Sequence, residues 1–141
     1  MPITLDTART IVGAAREKGR ELDLKPLTVT VLDAAGATVL LEREDGSAPM
    51  RPAIAHGKAN GAFRMGMGSR ALGDRAEGQA YFIQAMNGLA GGDLVPVPGG
   101  VLVRENGAIV GAVGITGDTS DNDEACAIAG IEAAGLTADA G

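Results

Sequence analysis

His56 is the only histidine in the chain, and two cationic residues, Arg51 and Lys58, lie close to it in the sequence. A lone imidazole can move a proton near neutral pH or serve as a single axial haem ligand, but one histidine cannot form a multi-histidine metal site. Because residues 51–58 span about two turns of a predicted helix, the three side chains could face one small anionic molecule. A surface or interface histidine without a chemical role is the alternative interpretation.

The stretch GAVGITGDTSDNDE, residues 111–124, has the order of a nucleotide-binding loop: an apolar run, glycines and then a helix start. Its glycines follow G-x-x-G-x-x-G rather than G-x-G-x-x-G, and no Gly-Lys-Ser or Gly-Lys-Thr follows. The helix start carries four acidic residues, Asp118, Asp121, Asp123 and Glu124. These carboxylates would repel a phosphate, and their spacing does not match a calcium loop. We therefore predict a capped helix start, and no metal site.

Cys126 is the only cysteine, which excludes an internal disulfide and a cysteine metal cluster. It lies among alanines in the last predicted helix, where a buried packing residue is the favoured interpretation. No nucleophile-elbow motif supports a Ser/His/Asp mechanism.

Composition narrows the class of protein further. The chain has 141 residues, 45% of them hydrophobic, which predicts one domain over residues 1–141. A net charge of −6 with 2% aromatic residues argues against nucleic acid and against an anionic membrane surface as partners. The N-terminal residues do not resemble a signal peptide, and no apolar run approaches the length of a membrane span. The expectation is a cytoplasmic protein.

Periodicity predicts the elements that would position these residues. Apolar spacings of three and four predict helices over about 4–23, 49–65 and 121–135, and one or two short helices within residues 69–89, the clearer over about 74–87. Alternation predicts hairpins over about 27–43 and 101–116. Asn106-Gly107 is the expected turn of the second hairpin, and Asp121 with Glu124 resembles a capping box. This order predicts an α+β fold with an antiparallel sheet of about five strands flanked by helices.

Small residues predict a close contact between the second helix and the sheet. Ala53, Gly57 and Gly61 lie on one face of that helix, and Gly111 and Gly114 lie in the last predicted strand. Glycine in a helix costs about 1 kcal/mol relative to alanine, and a close approach would explain why it is present. We expect the small-residue face to pack on the two strand glycines.

Four segments in order resemble the GlcG/HbpS-like family, also called the haem-degrading domain family. They are VTVLDAAGATVLLERED after the first helix, the helix AIAHGKANGAF, the segment PVPGGVLVRENGAIVGAVGITG, and the last helix DNDEACAIAGIEAAGL. The resemblance covers nearly the whole chain. It implies a profilin-like fold with a five-stranded antiparallel sheet, and self-association into a homo-oligomer with ligand pockets near subunit contacts. It also implies a haem or corrinoid ligand, as in some members.

The resemblance carries over to five residues as ligand-binding candidates: Lys58, Gly99, Gly100, Asp123 and Glu124. Haem-binding relatives use a histidine associated with the first helix. The first predicted helix here has no histidine, so only His56 could take that role.

Two functions remain open from the sequence. The first is a small-molecule-binding protein of this family, with haem or another tetrapyrrole as the ligand. The second is a cofactor-independent isomerase, cyclase or lyase for a small carboxylated or carbonyl metabolite, with His56 as acid/base and Arg51 beside it. If the end of the second helix faces the Pro98-Gly99-Gly100 loop, exposed backbone N–H groups at Gly99 and Gly100 would help form a small cationic pocket for a carboxylate or an enolate. An oligomeric accessory protein without a site is a third possibility.

Overall fold

The computed structural model describes residues 2–141. Within that range the chain forms five helices and five strands: α1 (Leu5–Glu21), β1 (Thr28–Leu32), β2 (Thr38–Arg43), α2 (Arg51–Met65), α3 (Ser69–Gly78), α4 (Ala80–Leu89), β3 (Gly100–Glu105), β4 (Ala108–Thr116), α5 (Ser120–Ala133) and β5 (Thr137–Asp139). All strand pairs are antiparallel, in the order β2-β1-β4-β3-β5. The predicted α+β fold with a five-stranded antiparallel sheet is confirmed.

The helices lie on both faces of the sheet. Val113 and Ile115 of β4 pack in one core cluster with Ile11 of α1 and Cys126 of α5. Gly114, between these two strand residues, faces α2 instead, because alternate residues of a strand point to opposite faces. The sheet therefore separates α1 and α5 from α2. No helix within residues 2–141 is both long and apolar enough to cross a bilayer.

Two glycines bring α2 unusually close to the sheet. Gly100 of β3 and Gly114 of β4 are cross-strand partners. A Cβ at Gly114 would lie 2.0 Å from the Ala55 carbonyl oxygen, and a Cβ at Gly100 would lie 2.2 Å from the Lys58 carbonyl oxygen. Only hydrogen fits at either position, so the backbone of α2 rests directly on these two strands.

The prediction of which face of α2 packs on the sheet is wrong. Ala53 is exposed, and Gly57 and Gly61 face the 90–99 loop rather than β4. A Cβ at Gly57 would lie 2.6 Å from Cγ2 of Val95, and a Cβ at Gly61 would lie 2.9 Å from Cγ of Leu94. The glycines of α2 thus allow the 90–99 loop to lie close to the helix, whereas the glycines of β3 and β4 allow the helix to lie close to the sheet.

Local details differ from the sequence analysis in three places. Of the one or two short helices expected within residues 69–89, the chain forms two, because Gln79 has φ −142° and ψ 61° and breaks the helical path between α3 and α4. The last strand, β5, has three residues and pairs with the edge of β3, and no pattern that short predicts a strand. Thr119, rather than Asp121, caps α5, since its side chain accepts a hydrogen bond from the Asn122 N–H.

Candidate functional site

Lys58 and Asp123 form a buried ion pair at the end of the sheet. The Lys58 Nζ donates to Asp123 Oδ2 at 3.0 Å and to the Ile115 carbonyl oxygen at 2.9 Å. The two charged side chains are 2% and 1% exposed. Asp118 N–H donates to the other Asp123 oxygen. The lysine of α2 is therefore joined to the first turn of α5, on the opposite face of the sheet.

Gly99 and Gly100 make room for this lysine. Gly99 has φ +122°, and a Cβ there would lie 2.8 Å from the Lys58 Nζ and 2.6 Å from the Ile115 carbonyl oxygen. The Gly100 N–H donates to Ser69 Oγ at 2.7 Å. The expected free N–H group at Gly100 is therefore wrong, because Ser69 already accepts from it. The glycine pair encloses a side chain of the protein itself.

Burial dominates the ionisation of the pair. Desolvation lowers the pKa of Lys58, with the Asp123 carboxylate opposing that shift and the nearby charge of Arg51 adding to it. Desolvation likewise raises the pKa of Asp123, and Lys58 opposes it. Since each charge is compensated inside the protein, a ligand arriving from solvent would have to displace Asp123 to reach the ammonium of Lys58.

Arg51 and Glu124 make separate contacts near this pair. The Arg51 Nη1 donates to Thr116 Oγ1 at 2.7 Å, which holds the first turn of α2 against the end of β4. Glu124 accepts from the Nε of Arg70 at 3.0 Å, and the same guanidinium also binds Asp121. The acidic start of α5 is thus tied to α3 by an arginine that the sequence analysis did not single out.

His56 points to a different partner. Its Nδ1 lies 2.7 Å from Asp93 Oδ2, and the two side chains are 31% and 36% exposed. The 90–99 loop that carries Asp93 is held on α2 by two hydrogen bonds. The Asn60 side chain donates to the Asp93 carbonyl oxygen at 2.8 Å, and Val95 N–H donates to the Gly57 carbonyl oxygen at 3.1 Å. The loop is positioned by the helix that carries the histidine.

Sequence reasoning missed Asp93. An acidic residue directly after Gly91-Gly92, in a loop followed by prolines, was the available signal, but the pairing spans 37 residues. The structure brings together four of the predicted residues, Lys58, Gly99, Gly100 and Asp123. It gives His56, Arg51 and Glu124 other partners. A direct ligand-binding role for these residues stays a prediction.

The chain belongs to the family described as "Haem degrading protein HbpS-like", whose model matches residues 3–132. It is similar to the uncharacterized 15.0 kDa protein in the dhaT-dhaS intergenic region of Citrobacter freundii, with 31% identity over 123 residues, 86% of this chain and 84% of that protein.

Solved structures share the fold. The Klebsiella pneumoniae protein ORFY superposes with a TM-score of 0.87 at 24% identity, covering 96% of this chain and 92% of that one. A complex of PduOC with haem gives a TM-score of 0.83 at 24% identity, with 93% and 94% covered. A double mutant of Streptomyces reticuli HbpS gives 0.77 at 28% identity, with 92% and 84% covered.

Proposed function

We propose that this protein is a small-ligand-binding member of its family, that its ligand is haem or a related tetrapyrrole, and that His56 is the axial ligand. The contact between His56 Nδ1 and Asp93 Oδ2 carries the proposal. A metal-bound histidine usually donates its second ring N–H to a carboxylate, which fixes the ring and directs the other nitrogen to the metal. With Nδ1 held by Asp93, Nε2 is the nitrogen left for iron. The family description and the haem complex of PduOC support this choice of ligand.

The donor set fits a haem iron. Imidazole is a common axial ligand, and α1, which carries no histidine, leaves His56 as the imidazole available. The thiol of Cys126 is fully buried, so it does not compete for the iron. Met50 is 70% exposed, one residue before α2 begins, and is the soft ligand that an experiment must distinguish from His56. Bound haem would supply the iron chemistry, and the protein residues would hold and orient it.

The His56 side chain is 31% exposed, so a flat macrocycle on its Nε2 would lie partly at the protein surface. A second copy of the chain that covers the exposed side would complete such a site, which agrees with the homo-oligomer expected from the family resemblance. A cytoplasmic location remains a sequence-based expectation.

Titration with hemin tests the proposal. We expect wild-type protein to shift and sharpen the Soret band saturably, and His56→Ala to abolish that shift while its circular dichroism stays unchanged. Met50→Leu is the matched control, and its spectrum should equal that of the wild type. A wild-type protein without a saturable Soret shift, or a folded His56→Ala variant with the wild-type spectrum, would contradict the proposal.

Asp93→Asn tests whether the carboxylate orients the ligand. Asparagine keeps the size of the side chain and the backbone carbonyl that binds Asn60, but it removes the charge facing His56. We expect hemin to bind about 10- to 100-fold more weakly, because loss of a partner of this kind costs that much in other metal sites. Wild-type affinity in this variant would show that Asp93 does not support the ligand.

The same pair favours one alternative function. A histidine oriented by an aspartate can act as acid and base, with the carboxylate stabilising the protonated ring. In a cofactor-independent isomerase, cyclase or lyase, His56 would move the proton and Arg51 would bind a carboxylate of the substrate. A protein that fails to bind hemin but turns over such a metabolite, with His56→Ala and Arg51→Ala inactive, would support this alternative.

A further inference from the structure

A second cationic site lies beside the first turn of α2, separate from the His56 side chain. A cavity of about 200 Å³, roughly the volume of seven water molecules in the liquid, is lined by Lys25, Ser47, Arg51 and Gly117, among others. Its lining contains two cationic residues and no acidic residue. In a chain with a net charge of −6, this is a local concentration of positive charge.

Neither cation is held in a salt bridge, although the Asp118 carboxylate is close enough to interact with the charge of Lys25. Arg51 uses one of its five N–H donors on Thr116 Oγ1, a contact that fixes the guanidinium and leaves the other donors available. Across residues 2–141, no carboxylate lies within ion-pair distance of the side chain of Arg51 or Lys25. The nearby Asp118 carboxylate is already bonded to the backbone N–H of Lys25 and to Thr119 and Asn122.

Buried hydroxyl groups without partners provide an independent observation. Ser47 lines the cavity and is 9% exposed, and its Oγ has no hydrogen-bond partner within the described part of the chain. Thr28 Oγ1 is also buried and without a partner. Thr28 of β1 is the cross-strand partner of Thr116 of β4, whose hydroxyl accepts a hydrogen bond from Arg51. A buried hydroxyl without a partner is costly, so an acceptor in the cavity beside Ser47 would lower the free energy of the site.

The N-terminal end of α2 also favours a bound anion. Met50 occupies the N-cap of α2 without a side-chain cap, and no acidic residue lies in the first turn. The partial positive charge at the start of α2 is therefore not neutralised by the protein. Pro52 has no N–H, and the Arg51 and Ile54 N–H groups are bonded to the Ala48 and Met50 carbonyl oxygens, so the helix start favours an oxyanion through its dipole rather than through backbone donors.

We propose that the cavity between Lys25, Ser47 and Arg51 binds the oxyanion group of a small metabolite, either a carboxylate or a phosphate. Arg51 binds two oxygens, Lys25 contributes a point charge, and Ser47 donates its hydroxyl hydrogen. This site does not depend on His56 or on haem, so it stands or falls separately from haem binding, although it shares Arg51 with the alternative enzyme function.

Titrations of the protein with inorganic phosphate and, separately, with acetate test the site, using the amide NMR signals of Gly46, Ser47 and Gly117. We expect saturable shifts with at least one anion at millimolar concentrations. Arg51→Gln should weaken binding by about tenfold or more, and Lys25→Gln, an exposed change that preserves folding, by a few-fold. Arg9→Gln, which removes the same charge from the exposed start of α1, and His56→Ala should both bind like the wild type.

Saturation by one anion alone supports the site and identifies its chemistry, and saturation by both supports a general oxyanion site. Shifts that grow linearly with both anions and never saturate would overturn the proposal. Equal affinities in wild type, Lys25→Gln and Arg51→Gln would overturn it as well. Loss of binding in Arg9→Gln would indicate that net charge, rather than this cavity, attracts the anion.

Discussion

The Nζ of Lys58 and the Oδ2 of Asp123 lie 3.0 Å apart in the interior, with 2% and 1% of their side chains exposed. Lys58 belongs to the helix on one face of the sheet, and Asp123 belongs to a helix on the other face. The pair joins the two layers past the end of β3, where Gly99 leaves room for the lysine. Its contribution to the stability of the fold can be measured.

Removal of one partner should destabilise the protein strongly. Lys58→Met leaves the Asp123 carboxylate buried without its cation, and we expect the free energy of unfolding to fall by about 3 kcal/mol. Lys58→Met combined with Asp123→Asn should recover most of this loss, because no buried charge remains and the Asp118 N–H keeps an acceptor. Urea unfolding of the wild type, both single variants and the double variant gives the coupling free energy.

Lys18→Met is the control for loss of a lysine, since Lys18 pairs with Glu21 on the exposed side of α1 and such pairs contribute little. If Lys58→Met costs no more than Lys18→Met, the buried pair does not join the layers as described.

A methyl group at Gly114 should disrupt the packing of α2. The added Cβ would lie 2.0 Å from the Ala55 carbonyl oxygen and 2.8 Å from the Ala59 nitrogen, and backbone atoms cannot rotate away. We expect Gly114→Ala to cost about 3 kcal/mol in urea unfolding. Gly13→Ala, in the interior of α1 with no heavy atom within 4 Å of its added Cβ, should instead stabilise the protein by about 0.5–1 kcal/mol. If both substitutions changed the unfolding free energy in the same direction, the described packing of α2 on Gly114 would be contradicted.

Cys126 should make stability fall at alkaline pH. Burial raises the pKa of its thiol to about 11, from 9.0 when exposed. Between these values the unfolded chain releases the thiol proton and the folded chain keeps it, so the unfolding free energy falls as pH rises, by about 2 kcal/mol in all. Urea unfolding at about pH 8 and about pH 11 should show this loss in wild type and a smaller one in Cys126→Ala. An equal loss in both proteins would assign it to other groups.

The fold was predictable from the sequence where local signals were strong. Asn106 and Gly107 have φ values of 52° and 82°, the left-handed turn that their sequence predicts. Thr4 caps α1 through the Thr7 N–H, as its position suggests. The sequence left one or two helices open within residues 69–89, because the helical pattern continues on both sides of Gln79, whose backbone conformation separates α3 from α4.

The site was harder to predict, because its contacts join distant parts of the chain. A lysine on a helix is normally exposed, so nothing local indicates that Lys58 is buried against Asp123, 65 residues away. The space for it comes from Gly99, in another element. Asp93 reaches His56 only because the 90–99 loop lies on α2. Spacing along the chain gives no information on either pairing.

The helix glycines have a consequence for mutational scans. Gly57 and Gly61 allow the 90–99 loop to lie against α2, and that loop brings Asp93 to His56. A larger residue at either glycine would push the loop outward and separate the histidine from its carboxylate. A scan for loss of function at the histidine would then report these two positions together with His56. Neither glycine has a side chain that could touch a ligand. A functional defect caused by a substitution there would therefore come from displacement of the 90–99 loop from α2.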